Sequence, residues 1–137
     1  MYLVDTNVIS EARKGAKADS GVRAFWRGAD AAQLYLSSIT IGEIRRGVEN
    51  IRHRGDQAQA EKLEQWLNLI VDAYSDRILN FDLECAQAWG KLMSPHPQHP
   101  IDKQIAAIAL LHDLTVVTRN TADFDRTGVK LFNPYQS

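Results

Sequence analysis

Short apolar runs alternate with longer segments of helical periodicity along the chain, and this alternation limits the possible folds more than any other feature. The predicted strands are YLV (2–4), LYL (34–36), RIL (77–79), LTVV (114–117) and VKLF (129–132). Strands that are separated by helices pair in parallel, because a parallel return requires a long crossover. The sequence therefore predicts an α/β fold, with a central parallel sheet of four to five strands covered by helices on both faces.

Apolar residues at helical spacing fill the intervals between these strands. The clearest pattern covers residues 57–74, where Trp66 and Tyr74 lie on the apolar stripe and are predicted to be core or dimer contacts. Residues 102–113 are apolar nearly all round, which predicts a helix buried on most sides. Further helices are predicted up to about Arg13, over roughly 19–29, from 39 to about 53 and from about 82 to 93. SPHPQHP (94–100) contains three prolines and is predicted to be a loop.

Length and composition are those of one globular domain over residues 1–137, with 45% hydrophobic and 24% charged residues. The net charge is −1, which excludes a protein that coats nucleic acid through bulk electrostatics. Binding to nucleic acid would then need a local patch, a metal or a partner. RRGVENIRHR (45–54) is one candidate patch, although a solvated helix end also explains it. The single cysteine, Cys85, and a start without signal-peptide character favour the cytoplasm.

Acidic residues follow or adjoin several of the predicted strands. Asp5 directly follows the first strand, and Glu43 lies early in the helix after the second. Asp102 opens the buried helix, and Asp123 comes five residues after the strand that ends at Thr118. Function in open parallel sheets is located beyond the carboxyl ends of the strands, so these four acids are expected to converge there.

Converging carboxylates are expected either to take up protons or to hold a divalent metal. Two carboxylates about 5 Å apart repel by about 3 kcal/mol at an effective dielectric constant of ~20. An all-oxygen cluster suits Mg²⁺ or Mn²⁺, which would make the four acids a metal site. Each acid also has a structural explanation. Asp5 and Asp102 are candidate helix caps, Glu43 forms a Thr-x-x-Glu capping box with Thr40, and Asp123 is a candidate turn residue.

Four segments resemble PIN-domain ribonucleases in order and spacing, most closely the VapC-type toxins and their FitB-like relatives of type II toxin–antitoxin modules. The segments are MYLVDTNVISE, LSSITIGEIRRGVE, PIDKQIAAIALLHDLTVVTRNTADF and VKLFNPY. Together they cover nearly the whole chain. The resemblance implies a three-layer α/β/α PIN-like domain.

The resemblance also implies roles for individual residues. Asp5, Glu43 and Asp102 match the family's acidic metal ligands, and Thr6 and Asn7 match neighbours that support the site through hydrogen bonds. The last motif departs from the family pattern, because the position two residues after the strand-end threonine is Asn120. Asp123 is therefore the expected fourth acid, and Thr118 and Asn120 are expected to support it.

The implied activity is hydrolysis of an RNA phosphodiester with Mg²⁺ or Mn²⁺ bound, by metal-activated water and without a covalent intermediate. Structured RNA such as transfer RNA is the implied substrate, and Arg45 and Arg46 are candidate substrate contacts. The resemblance further implies a cognate antitoxin that blocks the site and tethers the toxin to DNA, and toxin homodimers.

Two other functions stay open on the sequence alone. A non-catalytic, metal-binding regulatory domain or DNA-tethered partner would also use an acidic pocket, but phospho-acceptor domains need a lysine near the end of the last strand and Lys130 lies within it. The second open function is that of a homologue that has lost its activity. The presence of all four acids argues against this interpretation. His96 and His99 have H-x2-H spacing, but nothing in the sequence completes a zinc site around them.

Overall fold

The computed structural model describes residues 1–136. Its strands form one sheet in the order β3-β2-β1-β4-β5, and every neighbouring pair runs parallel. The predicted parallel sheet of four to five strands is therefore confirmed, with five. The strands are β1 (Tyr2–Val4), β2 (Leu34–Ser37), β3 (Ile78–Leu79), β4 (Thr115–Val117) and β5 (Lys130–Phe132).

Helices occupy the intervals where the sequence predicts them, with ends that differ by at most two residues. The largest difference concerns the last helix, which begins at Pro100 rather than at 102. Proline suits a first helical position because its missing N–H would have no partner there. The helices are α1 (Thr6–Ala12), α2 (Ser20–Gly28), α3 (Ser38–His53), α4 (Gln57–Ala73), α5 (Leu83–Met93) and α6 (Pro100–Leu111).

Two hydrophobic clusters lie on opposite faces of the sheet and make the fold three-layered. Neighbouring strand residues alternate between the clusters, as the pleat requires: Val4 belongs to the first and Leu3 to the second. The first cluster contains residues of α1 to α4, including Tyr74 with Trp66 packed against it, and the second contains residues of α5 and α6, including Cys85. The α/β/α layering and the core positions of Trp66 and Tyr74 are confirmed.

Helix α6 is buried only along its middle. Residues 105–109 have no exposed surface, whereas Leu110 and Leu111 are exposed to 40% and 45%. The prediction of burial on most sides therefore holds for the segment that crosses the sheet. It is wrong for the last turn. Among residues 1–136, no helix combines the length and the apolar character needed to cross a membrane.

The strand order places a crevice at the carboxyl edge between β1 and β4. The chain moves outward from β1 through β2 to β3, and then crosses to the other side to form β4 and β5. Connections that leave neighbouring strands in opposite directions open a crevice, and such crevices are where open α/β sheets bind ligands. Asp5 follows β1 and Thr118 follows β4, so both lie at this position.

The C-terminal segment packs against the start of α2 and reaches the same edge. The Tyr135 hydroxyl donates to the carbonyl oxygen of Asn7 at 3.0 Å. A Cβ atom at Gly21 would lie 2.0 Å from the carbonyl oxygen of Pro134, so only glycine admits the segment this closely. Gly21 therefore holds in place a segment that contacts the crevice.

Gly21→Ala is expected to lower the melting temperature by several degrees, because relieving the overlap with Pro134 costs about 1–3 kcal/mol. Gly28→Ala in the same helix is the matched control, since nothing lies within 4 Å of a Cβ at that position. Thermal unfolding followed by circular dichroism measures both variants. Equal melting temperatures for the two would contradict the packing described for the C-terminal segment.

Candidate active site

Asp5 is buried at the carboxyl end of β1, where three donors hold its carboxylate. It is 3% exposed, and it is the N-cap of α1, as its capping interpretation predicts. Its carboxylate accepts hydrogen bonds from the Thr6 amide at 2.8 Å, the Thr118 hydroxyl at 2.7 Å and the Asn7 side-chain amide at 3.2 Å. Burial raises the pKa of Asp5, while the hydrogen bonds of Thr118, Thr6 and Asn7 oppose the rise. The side chain is thus fixed in one orientation.

Thr118 connects Asp5 to the loop after β4. Its hydroxyl donates to Asp5 and accepts from the Asn120 backbone N–H at 3.0 Å. The Asn7 side-chain amide lies 3.3 Å from the same hydroxyl, and the Asn7 amide oxygen accepts from the Arg119 backbone N–H at 3.1 Å. Asn120 therefore takes part through its main chain. These bonds tie the two strand ends together around one carboxylate.

Glu43 reaches the same region from α3. The Thr6 hydroxyl donates to Glu43 Oε1 at 2.6 Å, so Thr6 contacts Asp5 through its amide and Glu43 through its side chain. Partial burial of the carboxylate raises the pKa of Glu43, and the charge of Asp5 adds to the rise. The acid is thus held by α1 and not by the start of its own helix.

The predicted capping box of Thr40 and Glu43 is wrong. The N-cap of α3 is Ser37, whose hydroxyl accepts from the Thr40 amide at 3.0 Å. The helix consequently begins earlier than the Thr-x-x-Glu pattern indicates, and Glu43 lies beyond the first turn. Its carboxylate is left for the crevice.

Asp102 lies in the first turn of α6, with its side chain 23% exposed. Its capping interpretation is wrong, because His99 is the N-cap position and Asp102 is three residues inside. Burial raises the pKa of Asp102 to about 6, and the charges of Asp5, Asp123 and Glu43 contribute. Asp102 thus experiences the field of all three other acids.

Asp123 lies in the short 3₁₀ turn Thr121–Phe124 after β4, so the turn interpretation also holds. Its Oδ1 atom is 3.7 Å from His99 Nε2, while Asp102 Oδ2 is 3.9 Å from His99 Nδ1. The ligand atoms of these three residues all lie within 4.8 Å of one another. The structure therefore brings the four predicted acids into one electrostatic group.

Two further residues lie beside this group and are not predicted from the sequence as site residues. The H-x2-H spacing pairs His99 with His96, although the position of His99 three residues before Asp102 places it on the same turn. Lys103 is 4% exposed, and its Nζ donates to the carbonyl oxygen of His96. Both residues line a polar cavity of about 270 Å³ next to Asp123.

Lys130 does not complete a phospho-acceptor site. Its ammonium group lies 3.3 Å from the Asp113 carboxylate, in the loop that precedes β4. That loop is at the amino edge of the sheet, opposite to Asp5. The geometry thus gives no support to the regulatory interpretation of the acidic pocket.

The raised pKa of Asp102 has a consequence for stability. The folded protein binds this proton more tightly than the unfolded chain, whose carboxyl keeps its ordinary pKa of 3.8. In the metal-free protein, the contribution of the Asp102 carboxyl to the free energy of unfolding should therefore be greatest below about pH 4. Roughly 2–3 kcal/mol of it should be lost as the pH rises through 6.

Asp102→Asn removes this charge and is expected to raise the melting temperature of the metal-free protein near neutral pH, with a smaller effect near pH 4. Excess Mg²⁺ should stabilise the native protein and leave the variant unchanged. Asp72→Asn, an exposed substitution on α4, is the control. Scanning fluorimetry from pH 4 to 8 measures all three proteins, and an equal response of the two variants would contradict the coupling.

Comparisons with known proteins identify the family of this chain. The family model described as PIN domain matches residues 2–130. Toxin FitB of Neisseria gonorrhoeae is 36% identical over 98% of this chain and 99% of its own length. VapC ribonuclease Y4jK of Sinorhizobium fredii is 32% identical over 99% of each chain.

A solved structure shows the same fold over its full length. The crystal structure of FitAcB from Neisseria gonorrhoeae matches with a TM-score of 0.87 and 34% identity, over 100% of both chains. The sequence match, the parallel sheet and the acids at its carboxyl edge thus point to one family. The chain belongs to the PIN domain family.

Proposed function

We propose that this protein is a metal-dependent endoribonuclease that acts as the toxin of a toxin–antitoxin pair. The observation that carries the proposal is the convergence of Asp5, Glu43, Asp102 and Asp123. Burial raises the pKa of Asp102 to about 6, and the charges of the other three acids add to the rise. Relatives of similar length carry the names toxin FitB and VapC ribonuclease. The name VapC ribonuclease supports RNA as the substrate, and the acidic cluster supports a metal ion as the source of the hydrolytic chemistry.

The donor set fits Mg²⁺ or Mn²⁺. All four acids offer carboxylate oxygens, which are the ligands that these ions prefer. A divalent cation would also counteract the burial and the carboxylate repulsion that together raise the pKa of Asp102 and Glu43. When bound, such an ion would lower the pKa of water and offset the negative charge that develops on the phosphodiester. Asp5 and Asp102 are the principal ligands in this proposal, with Glu43 and Asp123 completing the set.

The protein contributes orientation through its hydrogen bonds. The Asp5 carboxylate is fixed by hydrogen bonds from Thr118, Asn7 and the Thr6 amide. Its side chain is therefore already in one conformation before a metal ion binds. Thr6 holds Glu43 through its hydroxyl. Thr118 and Asn120 connect the loop that carries Asp123 to this group. These residues are supporting residues of the site, not groups that react.

Arg46 is the better of the two candidate RNA contacts. The Arg45 guanidinium pairs with Glu49 at 3.1 Å and with Glu64 at 2.5 Å, and thereby connects α3 to α4. Arg46 is exposed, and its charge lowers the pKa of Glu43, which places it close to the acids. A cation in this position is suited to a phosphate that flanks the scissile bond.

The proposed partners follow from the family resemblance and from the surface beside Glu43. An apolar groove of about 260 Å³ between α1, α3 and α4 begins at Thr6 and Glu43 and includes Gly47 and Trp66. An antitoxin segment that fills it would lie against the acids and block them, and would connect the toxin to DNA. Exposed Leu69 and Leu83 are candidate contacts of a homodimer. Action on structured RNA such as transfer RNA would place the protein in the cytoplasm.

Purified protein free of antitoxin is expected to cleave structured RNA with Mg²⁺ or Mn²⁺, and to stop when EDTA is added. Asp5→Asn and Glu43→Gln should each lower the rate at least about a hundredfold, because each removes a charged ligand. Asp72→Asn should cleave normally. Fragment analysis on gels measures cleavage, and circular dichroism checks folding.

Two variants are used because Asp5 is buried among donors and its substitution can perturb folding. Glu43 is exposed as a whole residue, although its carboxylate is partly buried, so Glu43→Gln should disturb the fold less than Asp5→Asn and separates chemistry from folding. Undiminished, EDTA-sensitive cleavage by folded Glu43→Gln and Asp5→Asn would exclude these acids as ligands. Metal-independent cleavage by the native protein would exclude the mechanism.

Arg46→Ala is expected to raise KM for RNA while leaving kcat nearly unchanged, and to reduce the slope of log affinity against log salt by about 1. The reason is the loss of one phosphate contact. Arg54→Ala, at the far end of α3, is the control and should keep the native slope. Filter binding of uncleaved RNA to the metal-free protein at several salt concentrations gives the slope of log affinity against log salt for each variant. Identical slopes for the two variants would exclude Arg46 as an RNA contact.

A further inference from the structure

His99 lies between two of the acids without forming a hydrogen bond to either. Its Nδ1 atom is 3.9 Å from Asp102 and its Nε2 atom is 3.7 Å from Asp123, both beyond hydrogen-bond distance. Its side chain also makes no capping bond to α6, although it occupies the N-cap position of that helix. The ring is therefore placed by the loop beside the acids, and neither ordinary role of a histidine at a helix start explains it.

We propose that His99 is a nitrogen ligand of the metal ion held by Asp102 and Asp123, and that it makes the site favour Mn²⁺ over Mg²⁺. This inference rests on the proposed metal-dependent function and adds to the four acids a donor of a different chemical class. One ligand atom from each of His99, Asp102 and Asp123 lies within 4.8 Å of the others.

The spacing of these atoms suits an ion after a contraction of the site. Ligands about 2.1 Å from a common six-coordinate ion are roughly 3 Å apart when adjacent. The separations of 3.7 and 3.9 Å involve different ring nitrogens, of which a single ion would bind only one. With one ligand atom taken from each residue, the atoms lie within 4.8 Å of one another, which is at most about 1.8 Å beyond the adjacent-ligand spacing. Movement of the exposed His99 side chain, which is 48% accessible, can supply the difference.

The donor type determines the expected selectivity. Imidazole suits first-row transition ions, whereas Mg²⁺ prefers oxygen ligands and retains its waters. A site made of acids alone would distinguish the two ions weakly. Adding His99 should therefore increase the affinity for Mn²⁺ and leave that for Mg²⁺ nearly unchanged.

His96 is a natural control in the same loop. Its ring contacts Arg126 Nη1, at 3.0 Å from Nδ1 and 2.7 Å from Nε2, and its carbonyl oxygen accepts from Lys103. The two histidines of the H-x2-H pair thus have different neighbours: the His96 ring contacts an arginine, and the His99 ring lies near two carboxylates. A zinc site that uses both histidines has no support in this arrangement.

The test uses the full-length protein loaded with Mn²⁺ alone and measured by pulsed electron paramagnetic resonance. The native protein should show coupling of the manganese electrons to a ¹⁴N nucleus, replaced by ¹⁵N coupling after selective labelling of histidine with ¹⁵N. The coupling should vanish in His99→Gln and persist in His96→Gln. Calorimetry should show about a tenfold loss of Mn²⁺ affinity in His99→Gln, with Mg²⁺ affinity changed less than about twofold.

The outcomes separate this inference from the function on which it rests. Bound Mn²⁺ without nitrogen coupling in the native protein, or coupling that survives in His99→Gln, overturns the ligand role while the four acids keep the metal. An absence of any Mn²⁺ or Mg²⁺ binding overturns both. If His99→Gln fails to fold, the labelled native protein still shows whether a histidine is a ligand. Coupling that persists in His96→Gln then assigns the ligand to His99, because His99 is the histidine beside the acids.

Discussion

Repulsion among carboxylates at one edge of the sheet is the constraint on which this structure depends. The strand order makes the connections after β1 and β4 diverge, and the crevice between them receives acids from four distant parts of the chain. A pKa of about 6 for Asp102 means that the folded state confines negative charge at an energetic cost. A divalent cation bound there, as proposed, would offset that cost and would couple metal binding to the stability of the fold.

Hydrogen bonds around the acids keep the group in place without the ion. Thr118 joins the ends of β1 and β4 through Asp5, and Thr6 joins α1 to α3 through Glu43. Both threonines thus satisfy an acid that burial would otherwise destabilise. The C-terminal segment closes the same region from outside, through Tyr135 on the Asn7 carbonyl. Rigidity of the site follows from contacts among all of these elements.

Much of this arrangement could be predicted from the sequence, because it depends on local patterns. Short apolar runs and helical stripes predicted the five strands and the six α-helices, and acids beside strand ends predicted a common edge. One prediction that failed, the capping box at the start of α3, depends on which of two nearby residues caps the helix. Ser37 and Thr40 are both good N-caps, and the structure uses Ser37, which frees Glu43 from a capping role. Spacing alone cannot decide between two N-cap candidates of similar strength that lie three residues apart.

Other features depend on tertiary contacts that local patterns do not encode. Arg45 is an apparent RNA contact in the sequence, yet Glu64 on α4 pairs with it once the two helices pack. His99 lies near Asp123 only because the loop before α6 contacts the turn after β4 in the folded protein. These two segments are separated in sequence by α6 and β4, and local patterns do not predict their contact. The site is therefore better predicted in its acids than in the groups around them.

Anomalous diffraction from crystals of the Mn²⁺-loaded protein tests the central claim most directly. The account predicts a manganese peak in the crevice between β1 and β4, within coordination distance of the carboxylates of Asp5 and Asp102. Crystals that bind Mn²⁺ elsewhere, with these two carboxylates uncoordinated at neutral pH, would contradict it.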